Sequence, residues 1–325
     1  MTSGAACYAL TRIPHTVYRK PNTLNNNIAM ISIYIKLLMT AIFWGGTFIA
    51  GRVVSGHVNP YAAAFLRFVV ASFFLVLLLA KEEGLPRRVE AKKTLALVML
   101  GATGVFAYNL FFFKGLQLIS AGRASLIIAN NPIFLAIFSF LLFKEKMTPL
   151  KVIGILISVT GAVIAISGGN PTALLSGGVG MGDVYIFCCV CFWVAYSLIG
   201  KKAMDTFSPL AAVTGAAVTG VLLLFIPAWQ SGMLAEMARY RPADWAAIFY
   251  LGIFGTVLGF VWYYDGIKAI GPARAGLFIN FVPLSAIVMG YLILGEAVTI
   301  SLAAGAALVI SGVVLTNTAS VRLPK

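Results

Sequence analysis

The stretch GLQLISAGRASLIIANNPIFLAIFSFLLFKEKMTPLKVIGILISVTGAV, residues 115–163, decides how this chain is built. It returns without a gap 151 positions later as GIKAIGPARAGLFINFVPLSAIVMGYLILGEAVTISLAAGAALVISGVV, residues 266–314. Thirteen of the 49 aligned positions are identical, among them Gly115/Gly266, Arg123/Arg274, Pro132/Pro283, Glu145/Glu296, Gly154/Gly305 and Gly161/Gly312. An apolar bias alone does not preserve a proline, a glutamate and paired glycines together. The match extends upstream at an offset of 149, where FWGGTFIAGRVVSGHVNPYAA (43–63) faces FWVAYSLIGKKAMDTFSPLAA (192–212). The chain is a tandem duplication, and self-similarity of this kind dictates the architecture before any local reading.

Each copy is a membrane unit. Apolar residues make up 60% of the chain, charged residues 10%, and the mean hydropathy is +0.95, whereas a soluble domain carries about 25% charge. Ten apolar stretches of the roughly 20 residues needed to cross a hydrocarbon core lie near 34–54, 59–80, 94–113, 121–143, 150–168, 182–200, 208–229, 245–265, 271–293 and 299–317. These are segments 1 to 10. The expected fold is an all-α membrane protein of ten transmembrane helices, arranged as two inverted five-helix repeats over 34–168 and 182–317. Residues 1–33 read as a disordered cytoplasmic tail, 169–181 as an extracytoplasmic linker and 318–325 as a second cytoplasmic tail. Met30, just before segment 1, is an alternative start.

The net charge of +14 belongs to this topology rather than to nucleic acid. An odd number of helices per repeat turns the second copy upside down. With both termini in the cytoplasm, 18 Lys and Arg fall inside and five outside (Arg52, Lys114, Arg123, Arg239, Arg241), the bias that orients multi-pass proteins in a plasma or inner membrane. Four cysteines make no disulfide framework. Three of them, Cys188, Cys189 and Cys191, lie within segment 6, where thiols serve as small apolar side chains. The Gly-rich segment between the copies follows no strand and lacks the Lys-Ser/Thr of a phosphate loop. No HExxH, nucleophile elbow or carboxylate pair is present, so no enzyme chemistry, cofactor or metal is expected.

The candidate functional residues are the polar and aromatic exceptions inside apolar helices. Trp44 and Trp193 occupy matching places on segments 1 and 6, as packing stripe or cavity wall. Arg67 lies about seven residues into segment 2, where an arginine costs on the order of 2.5–3.5 kcal/mol on insertion scales and must face protein or water, or snorkel. Its repeat mate is Ala216, so the symmetry breaks there. Glycines 101 and 104, with 252, 255 and 259, suit close helix approach, as do Gly154, Ser158 and Gly161 of segment 5 and Ser301, Gly305 and Gly312 of segment 10, two helices that carry nothing chemically active. Asn109 sits in segment 3, and Trp262 and Tyr263 near the end of segment 8. Asn130-Asn131-Pro132 and Asn280 with Pro283 interrupt segments 4 and 9 at matching depths, a pointer to a binding site in transporters built from repeats. The amide beside each interruption either reads a substrate or satisfies a freed carbonyl. Glu145 and Glu296 close segments 4 and 9 at opposite faces, as interfacial charges or as gate and latch. Trp44, Arg67, Asn109, Asn131, Trp193, Trp262, Tyr263 and Asn280 are the substrate-cavity candidates, and all of them but Arg67 are expected around one space near the midplane.

The two five-helix copies resemble the drug/metabolite transporter superfamily and, within it, the EamA-like ten-helix family. The resemblance rests on AIFWGGTFIAGR (41–52), FLRFVVA around Arg67, and LFKEKMTPLKVIGILISVTGAV with its partner ILGEAVTISLAAGAALVISGVV. It covers residues 34–317. It implies a secondary transporter with a central cavity that opens alternately to each side, moving a small organic solute such as an amino-acid-like metabolite or drug-like amphiphile, with export across the inner membrane the expected direction. The solute and the lipid bilayer are the implied partners, and a homodimer is compatible. A membrane-embedded lipid-handling protein or enzyme is the alternative class; it would need clustered acidic or histidine residues facing the lipid.

Overall fold

The computed structural model describes residues 23–84, 91–143, 148–170, 179–270, 275–276 and 278–321. Those residues are helical almost throughout, because backbone polar groups in hydrocarbon must be satisfied within their own segment. In chain order the helices are α1 (Thr23–Ser55), α2 (Pro60–Glu82), α3 (Ala91–Leu100), α4 (Tyr108–Leu118), α5 (Ala121–Ile128), α6 (Asn131–Phe143) and α7 (Pro149–Ser167). The second copy supplies α8 (Met181–Ala203), α9 (Pro209–Gln230), α10 (Pro242–Gly252), α11 (Gly259–Ile270), α12 (Phe281–Leu294) and α13 (Ile300–Val321). Among the described residues, seven helices are long and apolar enough to cross a membrane, two of them counted through a π-helical stretch. Phe281–Leu294 is apolar but shorter, and the Ile300–Thr316 part of α13 is likewise apolar. Side chains such as Leu156, Leu222 and Leu292 point outward from this bundle, as a lipid-facing surface requires.

Three departures from the sequence expectation matter. First, α1 begins at Thr23, so residues 23–33 are helical rather than tail. Beyond Pro21 no breaker intervenes, and Ile28, Ala29, Met30 and Ile31 carry the apolar run into segment 1. The terminal helix likewise continues to Val321, past the expected boundary at 317. Second, segment 4 is not one kinked helix but two, α5 and α6, separated by Ala129 and Asn130. Asn130 restarts the chain: its carbonyl accepts from Ile133 N, its Nδ2 donates to Leu126 O at 2.9 Å, and its Oδ1 accepts from Ser158 Oγ at 2.9 Å. Third, Gly101–Ala107 and Ile253–Leu258, the same place in the two copies, are π-helical.

The repeats interlock by matched contacts. A Cβ on Gly101 would meet Ala216 O at 2.9 Å, and one on Gly252 would meet Arg67 O at 3.0 Å. These are the same contact in the two copies, since Gly252 is the mate of Gly101 and Arg67 the mate of Ala216. Segment 3 therefore rests on segment 7, and segment 8 on segment 2, each copy packing onto the other. Helices α7 and α13 pack backbone to backbone. Gly161 lies where a Cβ would stand 2.7 Å from Gly305 O, and Gly305 where one would stand 2.7 Å from Gly161 O. Without a hydrophobic drive between helices in lipid, such close approach supplies the attraction.

Gly161→Ala is expected to lower the thermal midpoint of the detergent-purified protein by the equivalent of about 1–3 kcal/mol, the usual cost of overpacking. Gly200→Ala, whose Cβ meets only Leu100 Cδ2 at 3.8 Å, is expected to leave the midpoint unchanged or raise it. Equal melting of the two variants would remove the packing account.

Candidate functional site: a cavity between the two repeats

Between the repeats lies a cavity of about 510 Å³. Six of the eight sequence candidates line it: Trp44, Arg67, Asn131, Trp193, Tyr263 and Asn280. A seventh, Asn109, lines a narrower crevice of about 50 Å³ that shares Arg67, Tyr108, Trp193 and Phe260 with the larger space. Trp262 is not brought there. Its ring packs on Phe43 at 5.5 Å, on a different face of α11 from Tyr263.

Aromatic rings form a continuous wall. Trp44 stands 5.3 Å from Tyr263 and 5.7 Å from Phe260; Phe260 reaches Trp193 at 6.5 Å, and Trp193 reaches Tyr108 and Tyr196 at 5.5 Å each. The Trp44 indole donates to Gly255 O at 3.0 Å, so it is fixed by the second π stretch. The remaining wall is apolar and includes Val309 and Val313 of α13, a helix whose sequence suggested packing alone.

Arg67 is buried at 7% exposure in this region, and its role is defined by its partners. Nη1 donates to Asn109 Oδ1 at 2.8 Å, and Nη2 donates to Thr256 Oγ1 at 3.2 Å. Neither acceptor is free to turn away. The Asn109 amide donates to Gly104 O at 3.2 Å and Val105 O at 2.8 Å, and the Thr256 hydroxyl donates to Leu251 O at 2.9 Å. These carbonyls lie in or beside the two π stretches, whose widened turns alter the α-helical bonding and often mark functional sites. The side chain thus does not snorkel. Among the described residues no carboxylate pairs with it, and its Nε has no hydrogen-bond partner.

The crevice lies on the pseudo-two-fold relation between the copies. Arg67, Asn109 and Thr256 line it, and so do their repeat mates Ala216, Phe260 and Val105. One side is polar and the other apolar, from the same ancestral positions. Thr256 and Phe260 were not singled out in the sequence; the signal that marks them is that each differs in polarity from its mate. At the paired interruptions the amides divide their work. Asn130 satisfies the broken helix, whereas Asn131 and Asn280 line the cavity, with Asn131 Oδ1 and Asn280 Nδ2 buried and without partners.

At one end of the bundle Glu296 and Arg123 join the two copies. Glu296 accepts from Ala121 N at 2.8 Å and Gly122 N at 3.3 Å, a carboxylate seated on the N-terminus of α5. It is delivered there by Gly295, which ends α12 at φ +65°, a left-handed turn that glycine adopts freely. The first copy has Lys144 at that place, and Glu145 lies outside the described residues. Alongside, Arg123 grips Asp183 through Nε at 2.6 Å and Nη2 at 2.7 Å, while Gln117 donates to Ser55 O at 3.0 Å and Arg52 donates to Leu116 O. All of these lie at the end of the bundle where the two copies are joined. The cavity wall reaches the other end, through Leu135, Met204, Tyr264 and Gly276.

A multi-pass helical membrane protein made of two repeats around an aromatic-lined cavity is the class that these features define. The chain belongs to the EamA-like transporter family, whose profile matches residues 31–167 and again 180–318. It is 30% identical over 91% of its length to the uncharacterized transporter YyaM of Bacillus subtilis, covering 96% of that protein. It is 29% identical to an uncharacterized transporter of Archaeoglobus fulgidus, over 86% of this chain and 96% of the relative. A probable terminal-alkyne amino-acid exporter of Streptantibioticus cattleyicolor is 28% identical over 86% of this chain and 92% of its own. A crystal structure with 18% identity superposes with a TM-score of 0.61 over 88% of this chain and 98% of the other, which shows a shared fold.

Asn109→Leu deletes the acceptor for Arg67 and the donor to two carbonyls. It is expected to destabilise the protein by about 1.5–3 kcal/mol, the range for a hydrogen bond to a charged group. The double variant Asn109→Leu/Arg67→Met is expected to recover part of that loss, because the stranded charge is gone. Thermal melting of the single and double variants checks both.

Proposed function

We propose that this protein is a secondary transporter that carries a small organic solute across the plasma or inner membrane through the cavity between its halves. The bundle comprises ten transmembrane helices in two inverted units, 34–168 and 182–317, with both termini cytoplasmic and the 169–181 linker outside. Transport proceeds by alternating access, and export is the physiological direction. The observation that carries this reading is a cavity placed on the relation between two repeats, tied at the linker end and extending to the other. Exchanging the conformations of two related halves exchanges which end is tied, so one architecture offers both the inward-open and outward-open forms. An aromatic wall with two orphan amides suits a small amphipathic solute better than a multiply charged one. The name of the amino-acid exporter relative supports an amino-acid-like solute and outward movement.

Reconstituted vesicles tested with a panel of amino acids, amines, organic acids and amphiphiles are expected to show saturable, ATP-independent flux of at least one class; flux indistinguishable from protein-free vesicles throughout the panel refutes the reading. Conformational coupling has its own test. In a background without the four native cysteines, Ser125→Cys on the tied side of the cavity is expected to react slowly with a membrane-impermeant thiol reagent from the linker side. Adding Glu296→Gln removes charge-assisted bonds worth about 1.5–3 kcal/mol and is expected to speed labelling by about tenfold or more. Unchanged labelling would show that Glu296 does not hold that end.

A further inference from the structure

Arg67 is the one charged side chain that lines the cavity or its crevice among the described residues. Its hydrogen-bond partners, Asn109 and Thr256, are neutral, and both already spend their donors on backbone carbonyls. They orient the guanidinium without neutralising it. A guanidinium has five N–H donors in a planar fork; two are used here, and Nε is buried without a partner. A buried cation lacking a counter-ion is an expensive arrangement, and the charge balance of this space is completed only by something that enters it.

We propose that Arg67 and the crevice beside it take the carboxylate of the transported solute, so that the substrate class is small organic monocarboxylates with an apolar or aromatic body. The inference rests on the transporter reading and adds the charge and polarity of the cargo. The crevice, at about 50 Å³, has room for a few water-sized groups or one carboxylate and not for a ring. Next to it, Trp193 and Phe260 line both the crevice and the larger cavity, so an apolar body attached to a carboxylate at Arg67 lies against rings. Apart from Arg67 the crevice is lined by neutral side chains, with Ala216 and Val105 apolar and Tyr108 and Tyr196 uncharged, so no second cation is there to meet a second negative charge. One guanidinium neutralises one negative charge, and a dianion would bring an uncompensated charge into an apolar site.

The test measures binding to the purified full chain in detergent through its tryptophan fluorescence, since Trp44 and Trp193 both line the cavity. The probes are phenylacetate and hexanoate, their neutral amides, and the matching amines phenethylamine and hexylamine. The acids are expected to give saturable changes, with the amides and amines weaker by about tenfold or more, as the loss of a charge-assisted hydrogen bond implies. Arg67→Gln is expected to abolish the preference for acids. Asn109→Asp, which supplies Arg67 with a carboxylate from within the protein at the cost of the amide donors to Gly104 O and Val105 O, is expected to lose acid binding to a similar degree while still melting cooperatively. Amides or amines that bind as tightly as the acids, acid binding undiminished in Asn109→Asp, or no binding by either acid overturns the proposal. Vesicle flux of a neutral solute without acid preference would also overturn it, yet leave the transporter reading standing. Acid binding with no flux of any solute would support the site and remove the transporter reading.

Discussion

A guanidinium held in an apolar bundle by neutral acceptors sets the terms for the centre of this molecule. Placing an arginine in a membrane helix costs on the order of 2.5–3.5 kcal/mol on insertion scales, and a carboxylate partner is the usual compensation. Here neutral side chains fixed by backbone carbonyls supply hydrogen bonds but no counter-charge. The π-helical stretches at Gly101–Ala107 and Ile253–Leu258 lie where Asn109 and Thr256 bond to main-chain carbonyls, and those bonds fix the amide and the hydroxyl with their acceptor oxygens toward Arg67. The helix irregularity, the polar pair and the arginine therefore form one device. Removing any member leaves another without a partner in a place that water reaches poorly.

The duplicated architecture explains why the device can exist only once. The contacts of Gly101 with segment 7 and of Gly252 with segment 2 show the two copies packed by the same rule. That rule fixes the backbone on both sides of the relation and brings the mates Arg67 and Ala216 to the same crevice. Two arginines there would repel across a narrow low-dielectric space, so the polar set on one side and Ala216, Phe260 and Val105 on the other is the arrangement a shared central position permits. Symmetry supplies the frame, and its breaking supplies the chemistry.

Much of the frame was legible in the residues. Repeated Pro, Glu and Gly positions revealed the duplication, and the glycine pairs on segments 5 and 10 revealed their packing, because backbone contact needs the absence of a Cβ and that absence is written directly in the sequence. Six of eight cavity candidates followed from looking for polar and aromatic side chains within apolar segments. The rest depended on phase. Trp262 and Tyr263 are neighbours, about 100° apart on a helix, and apolar windows carry no information on which one turns inward. A π turn shifts the phase of everything beyond it by one residue while leaving composition unchanged, so Asn109 and Thr256 could not be joined to Arg67 in advance. Glu296 was marked by its repetition, but its partners are the backbone N–H groups of Ala121 and Gly122, which any sequence would have provided.

The two ends of the bundle also differ where the repeats would make them alike. On the tail side Lys36 of α1 meets Asp265 of α11 at 2.7 Å. The mates of these residues are Tyr185 and Lys114, and at the linker side the Lys114 ammonium stands 5.9 Å from the Tyr185 ring centroid and 5.8 Å from that of Tyr61. A partly exposed ion pair contributes about 0–1 kcal/mol and an exposed cation–π contact about 0.5–1 kcal/mol, so the substitution changes the kind of tie at each end more than its strength. Near balance is what the proposed alternating access requires, since a solute shifts two states only by the difference in its affinity for them, and a gap of more than a few kcal/mol would leave one form unused. The ion pair loses strength in salt, whereas the aromatic contact is less exposed to screening. The relative hold of the two ends is thus tied to ionic conditions through five residues, none of which lines the cavity.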